Sequence, residues 1–230
     1  MHSMNSSSIC NNLIVHNTYG GVYINGSNDP SSKLNIKNNY FSENDFNGAL
    51  LMIWCERAVN IIENVFVNNT ATEWPILARM DGMYSDTIAC NRFIDNSVST
   101  VNGQDIMAVN TGPGHGIVMN NYFENNTCIN GGQIARAYLS STQNSASGFE
   151  NNYFINNHAD FVCKITVGSG TQTNSNITHN TIINNTSYAD FSLSASTNSN
   201  LNFKFNNFPD PLNKIKLYNS TSYGVTSYNV

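Results

Sequence analysis

The apolar residues of this chain follow a short repeat and do not show the period of an amphipathic helix. Two apolar positions alternate with two asparagines in the order apolar-x-x-Asn-x-apolar-x-x-Asn. The first copy is Ile9, Asn12, Ile14 and Asn17. Later copies begin at Ile36, Ile61, Ile88, Val118, Phe149, Ile177 and Phe203, so that successive copies start 25 to 31 residues apart. Repeats of this length are typical of solenoids.

Each repeat predicts three short strands and no helix. The two apolar positions predict two strands separated by a turn, because Asn tolerates the left-handed region and bonds to local backbone. Stacked copies would place the Asn side chains in ladders. A third strand, opened by Gly, Pro or Asp, is predicted at 21–24, 48–53, 75–80, 103–108, 132–137, 160–165 and 190–195.

Together these strands predict an all-β fold. We expect a single-stranded right-handed parallel β-helix of about eight coils, with 25–31 residues in each coil. The domain is predicted to span residues 9–230, with 1–8 as a loose N-terminal segment. Without an obvious cap helix, the chain could be a piece of a longer solenoid.

Period-two alternation along the third strand predicts which side chains face the core. Residues predicted to face inward include Ile76, Ala78, Met80, Ile106 and Ala108. Cys55, Cys90 and Cys163 are also predicted inward, as buried free thiols. The outward residues form a predicted binding face, an apolar stripe beside a basic one, made of Tyr23, Leu50, Met52, Trp54, Leu77, Arg79, Met107, Arg136, Tyr138 and Lys164. An exposed stripe of this kind marks an interaction site.

The amino-acid composition argues against several classes of function. The formal net charge is −5 and only 11% of residues are charged, which argues against a nucleic-acid partner. No apolar stretch reaches the length of about 18 residues that a membrane span needs. The five cysteines have no metal-ligand spacing. We therefore expect no cofactor and no metal site, although scattered turn aspartates could hold Ca²⁺ without any spacing that singles them out.

The repeated Asn-x-Phe-x-x-Asn of residues 64–69, 91–96, 121–126 and 152–157 resembles the right-handed β-helix repeat family. Within it, the chain is most similar to adhesin-like surface proteins. The resemblance implies an extracellular or cell-surface location and a non-catalytic module that presents a binding or self-association face. The implied partner is a protein, a second copy of the chain or a polysaccharide.

A second resemblance points to an enzyme. The run 112–116, Gly-Pro-Gly-His-Gly, resembles the Gly-His-Gly loop of polygalacturonase-type glycosidases. It implies inverting hydrolysis or elimination on an acidic polysaccharide. The catalytic candidates that it implies are Asp81, Asp105, His115, Arg136 and Lys164.

The chain departs from that glycosidase pattern in two places. Ile106 stands where the family has its second aspartate, and His115 follows Asp105 by ten residues instead of a full coil. We therefore expect a binding module in preference to an enzyme. A non-catalytic glycan-binding domain on the same sheet is the third alternative.

Overall fold

The chain folds into a parallel β-solenoid. The computed structural model describes residues 6–18, 21–26, 31–80, 84–99, 104–111, 115–140, 146–168, 173–195, 199–209, 215–219 and 225–229. These residues form 27 strands, numbered here in chain order, and contain no helix. Accordingly, no helix of this part of the chain is long and apolar enough to cross a membrane. The predicted all-β parallel β-helix is confirmed, while its right-handed sense stays a prediction.

Three parallel sheets run along the solenoid. The nine-stranded sheet has the order β1 (Ser6–Cys10), β4 (Lys33–Lys37), β8 (Ala58–Ile62), β12 (Asp86–Ala89), β16 (Gly116–Met119), β19 (Ser147–Glu150), β22 (Thr173–Thr178), β25 (Ser199–Lys204), β27 (Val225–Asn229). The seven-stranded sheet has the order β2 (Leu13–Val15), β5 (Tyr40–Ser42), β9 (Val65–Val67), β13 (Arg92–Ile94), β17 (Tyr122–Glu124), β20 (Tyr153–Ile155), β23 (Thr181–Ile183). Successive strands of each of these two sheets come from successive coils. Strand β1 begins at Ser6, within the segment predicted as loose.

The eleven-stranded sheet forms the third side. Its main path is β3 (Val22–Asn25), β7 (Leu51–Trp54), β11 (Leu77–Met80), β15 (Met107–Asn110), β18 (Thr127–Leu139), β21 (His158–Val167), β24 (Thr186–Ala195), β26 (Ile215–Asn219). Three short strands, β6 (Asp45–Phe46), β10 (Thr70–Ala71) and β14 (Ser97–Ser99), lie beside this path. From β18 onward, the short strand and the long one are continuous, with a register shift between Cys128 and Gln133.

Two asparagine ladders connect the coils, as the repeat predicts. In the interior of the first ladder, the backbone N–H and the side-chain Nδ2 of Asn64 both donate to Oδ1 of Asn91, each over 3.0 Å. Nδ2 of Asn64 also donates to the carbonyl of Ile36 over 2.9 Å. The second ladder repeats this geometry from Asn17 to Asn185. Every interior amide is therefore hydrogen-bonded although it is buried, which removes the cost of an unpaired polar group.

The left-handed turn conformation falls on the residue before each ladder asparagine. Among the described residues, fifteen of the sixteen non-glycine residues with positive φ occupy this position. Several are Asn, as at Asn38 and Asn120, but Glu63, Cys90 and Phe205 adopt it as well. The ladder asparagines themselves are thus selected for their side-chain hydrogen bonds, while the conformational demand acts on their neighbours.

Stacked side chains fill the core between the sheets. The rings of Phe41, Phe66, Phe93, Phe123 and Phe154 form one column with centroids 4.7 to 4.8 Å apart and nearly parallel planes. This spacing equals the distance between neighbouring strands, so the backbone sets the ring separation. All five rings are fully buried.

The predicted alternation of the third strand is reversed in two coils. Arg79 pairs in register with Ile53 and Val109, and its side chain is fully buried. Leu77 and Met107 pair with each other and are also fully buried. Conversely, Ala78, Met80 and Ala108, which were predicted inward, belong to the outward columns.

The cause of this error is a bend that precedes each third strand. The chain bends at Leu50, Ile76 and Ile106, and each of these residues is fully buried together with the residue that follows it. Two consecutive side chains per coil therefore reach the core, and alternation begins only after them. For that reason Leu50 also lies in the core and not on the predicted binding face.

The cysteines are all free thiols. Cys55 and Cys163 are buried, as predicted. Cys90 is exposed, so its predicted inward orientation is wrong. It is the left-handed residue before a ladder asparagine, and that conformation turns its side chain outward.

Candidate functional site

The outer face of the eleven-stranded sheet carries the exposed members of the predicted binding face. Two outward columns run along it, and we call this surface the open face. The first column is Tyr23, Met52, Ala78, Ala108, Arg136 and Lys164, and the second is Asn25, Trp54, Met80, Asn110, Tyr138 and Thr166. Parallel pairing in register places equivalent residues of adjacent coils about 4.8 Å apart.

An aromatic groove lies at the N-terminal end of the open face. Its volume is about 470 Å³, and its walls include Tyr23, Trp54 and Trp74, which are 57%, 45% and 40% exposed. Met52 belongs to the same groove but is only 8% exposed. Small residues, among them Gly48, keep the groove open between the rings. Exposed rings on a shallow floor suit a ligand that stacks against them.

Trp74 is a member of this groove that sequence reasoning missed. It lies in the corner before β11, outside the strand in which alternation was applied. Its position two residues before the buried Ile76 is the signal that could have placed it beside the sheet.

A basic groove lies further along the same face. Its volume is about 350 Å³, and Arg136, Tyr138 and Lys164 line it together with Asn110 and Thr166. Ala108, 3% exposed, contributes to the floor. The groove thus combines one exposed ring, two cations and two polar side chains that can donate and accept hydrogen bonds.

The ring of Tyr138 is held against the next coil. It lies beside Gly168, where a Cβ atom would collide with the phenol ring and its oxygen. Glycine at that position therefore makes room for the ring. Trp54 and Tyr138 occupy the same outward column three strands apart, which places the two grooves roughly 14 Å apart along the solenoid axis.

Asp105 is the acidic residue beside the basic groove. It is fully buried, and its Oδ2 lies 2.8 Å from Nε of Arg136. The backbone N–H of Gln133 donates to Oδ1 over 3.2 Å. Burial raises the pKa of Asp105 to about 7, although Arg136, the Gln133 N–H and Lys164 all oppose this rise. The carboxylate and the two cations therefore form one electrostatic cluster.

The structure brings together three of the five catalytic candidates. Asp105 lies just before β15, whereas His115 lies beyond its other end at the start of β16. Nδ1 of His115 is buried and has no hydrogen-bond partner among the described residues. Asp81 lies outside the described residues. Of the five candidates, Asp105, Arg136 and Lys164 cluster, and His115 is separated from them by the length of a strand.

No group of three His, Cys, Asp or Glu side chains suited to a metal ion occurs within the described ranges. Comparisons with protein-family models, with curated proteins and with solved structures find no match to this chain.

Proposed function

We propose that this chain is a non-catalytic module of an extracellular or cell-surface, adhesin-like protein and that it binds a polysaccharide along the open face. The supporting observation is the alignment of the aromatic and basic grooves on one face of the solenoid. A linear polymer can lie across both grooves, because they are in line with the solenoid axis. The surface location depends on the resemblance of the repeat alone.

The chemistry of the open face favours a glycan over a protein partner or a second copy. The large aliphatic residues expected there, Leu50, Leu77 and Met107, are buried. Apart from small residues and the half-buried Met80, the groove-lining residues that remain accessible are aromatic rings, two cations and polar side chains. Rings that stack on sugar faces, with polar groups around them, match a glycan better than the apolar core that a stable protein interface needs.

Tryptophan fluorescence tests this proposal directly. The chain has two tryptophans, Trp54 and Trp74, and both line the aromatic groove. Acidic and neutral polysaccharides would be titrated against the protein, and the fluorescence change would give Kd. We expect the Trp54→Ala variant to bind about tenfold more weakly, the cost of losing one aromatic anchor.

Tyr153→Ala is the matched control. Tyr153 is 45% exposed, like Trp54, but it lies on the seven-stranded sheet. This variant should bind like the wild-type protein. Equal losses in both variants, or no binding of any polymer, would reject the glycan proposal. Self-association would instead give a larger mass in light scattering that Trp54→Ala reduces.

The enzymatic alternative is tested on the same polymers. New reducing ends or unsaturated products would be measured for the wild-type protein and for the Asp105→Asn variant. If the wild-type protein shows turnover and the variant does not, the protein is a glycosidase or lyase and the binding-module proposal is wrong. We expect no turnover in either protein.

A further inference from the structure

The contact between Asp105 and Arg136 is an ion pair with poor hydrogen-bond geometry. Nε of Arg136 is 2.8 Å from Oδ2 of Asp105, yet Oδ2 accepts no aligned hydrogen bond from any described residue. An aligned, two-pronged arginine–carboxylate pair would be stronger. Asp105 therefore neutralises Arg136 electrostatically without holding the whole guanidinium group.

Arg136 remains available to a ligand in the groove. Its side chain is 44% exposed, and no described residue accepts a hydrogen bond from its two terminal nitrogens. Lys164 is its register partner on the adjacent strand. Nζ of Lys164 lies 5.7 Å from the ring centre of Phe161, and no described carboxylate forms an ion pair with it. Two cations thus face the groove, and Asp105 is the buried anion behind them among the described residues.

We propose that Arg136 and Lys164 form a subsite for the anionic groups of a glycan, and that Asp105 is an internal counter-anion that competes with the ligand for Arg136. This inference rests on the proposed function and adds a ligand class and a form of regulation. The shared chemistry of the ligand is a carboxylate or sulfate on a sugar, which Arg binds through two parallel N–H groups.

The competition depends on the protonation of Asp105. When Asp105 is ionised, the cluster has a net charge of about +1, and when Asp105 is protonated the net charge is about +2. Since burial raises the pKa of Asp105 to about 7, this change occurs close to neutral pH. Anion affinity should therefore increase as the pH falls from about 8 to about 6. Sugar carboxylates stay ionised in this range, because simple carboxyl groups titrate near about pH 4.

The other ionisable groups near Asp105 do not reverse this sign. The thiol of Cys128 is influenced by Asp105 and by Asp160, and burial raises its pKa far above the ordinary value, so it stays neutral. Asp160 is exposed to solvent, where its charge is screened. Arg136 and Lys164 remain the cations that respond to Asp105.

Two polymers with the same backbone provide the test. Polygalacturonate carries carboxylates, and fully methyl-esterified galacturonan is its neutral counterpart. Their Kd values would be measured by tryptophan fluorescence at about pH 6 and about pH 8 at one ionic strength. Polygalacturonate should bind roughly three- to tenfold more tightly at the lower pH, the effect of one added charge a few ångströms away in a partly solvated site. The neutral polymer should show no such change, and a sulfated glucan would show whether the subsite also accepts sulfate.

Variants of the cluster make the test specific. Asp105→Asn should bind polygalacturonate at about pH 8 as tightly as the wild-type protein does at about pH 6, with no remaining pH dependence. Arg136→Gln should lose both the preference for the anionic polymer and the pH dependence. The second variant keeps the test valid if Asp105→Asn does not fold, because the Arg136 side chain is partly exposed and Asp105 can take up a proton when its counter-ion is removed.

The possible failures are distinguishable. Equal binding of both polymers at both pH values would overturn the proposed anionic subsite and its competition with Asp105, and would leave the glycan proposal intact. A pH dependence that persists in Asp105→Asn or in Arg136→Gln would also overturn it. If neither polymer nor any other glycan binds, the proposed function and this inference fail together.

Discussion

Arg79 and Asp86 form an ion pair inside the solenoid, with Nε of Arg79 3.0 Å from Oδ2 of Asp86 and both side chains fully buried. The guanidinium group donates five hydrogen bonds to described residues. Besides the two to Asp86, they go to the carbonyls of Cys55, Met80 and Arg57. Complete pairing of this kind offsets the desolvation of the two charges.

Removing one partner of this pair should be far more damaging than removing both. Asp86→Val leaves Arg79 buried without its counter-ion, and we expect a loss of about 3–5 kcal/mol in the free energy of unfolding. The double variant Arg79→Ile, Asp86→Val places in both columns the residues that the preceding coil has there, Ile53 and Val59. It should lose much less than the single variant. Urea unfolding measures both, and a double variant that loses as much stability as Asp86→Val would contradict the expectation.

The interior of an asparagine ladder should tolerate substitution worse than its end. Asn91→Ala removes the acceptor of two N–H groups of Asn64 and the donor to the carbonyl of Ile61. Because these groups are buried, we expect a loss of about 3–5 kcal/mol. Asn12→Ala at the exposed end is the control and should lose about 1 kcal/mol. Thermal or urea unfolding of the two variants gives the comparison.

The rate at which each cysteine reacts with a thiol reagent should depend on how deeply its side chain is buried. Cys90 is exposed and should react fastest with a thiol reagent. Cys128 and Cys163 are fully buried, and burial raises the pKa of both thiols, so they should react only after unfolding. Cys90→Ser should remove the fast phase. Rapid labelling of Cys163 in the folded protein would show that the core opens at that coil.

Stability should decrease as the pH rises from about 4 to about 7. Burial raises the pKa of Asp86 to about 6 and that of Asp105 to about 7, from an ordinary value of 3.8. At pH values between the ordinary pKa and the raised pKa of each group, the folded chain binds more protons than the unfolded chain. Raising the pH through this range therefore favours unfolding. Urea midpoints across this range test the sign. Asp105→Asn should flatten the slope, and Asp95→Asn, at an exposed turn, is the control substitution.

Features that recur in every coil could be predicted from the sequence. The ladder positions, such as Asn64 and Asn91, and the stacked Phe66 and Phe93 are each supported by equivalent residues in several other coils. Repetition makes the prediction of such positions reliable, because a wrong assignment in one coil would disagree with the register of the other coils.

Features that occur in one coil could not be predicted in the same way. Alternation places Arg79 outward because the bend at Ile76 is not visible in the sequence, and its buried partner, Asp86, lies on another sheet beyond a corner of the solenoid. Asp105 and Arg136 were both recognised as candidates, but their contact links a bend in one coil to a strand in the next. Such pairs depend on the angle of the corners, and the repeat carries no information about it.

The asparagine ladders give the solenoid a direction. In every rung, the N–H groups of one coil point to the Oδ1 atom of the next coil toward the C-terminus. At the first coil, Oδ1 of Asn12 and of Asn17 accepts no hydrogen bond from a described residue. Another coil that packs on this end must therefore supply N–H donors to these Oδ1 atoms. A coil in the reverse orientation would place its own Oδ1 atoms against them, with no donor between. The two ends of the rod are chemically unlike, so that coils can be added to it in one orientation only.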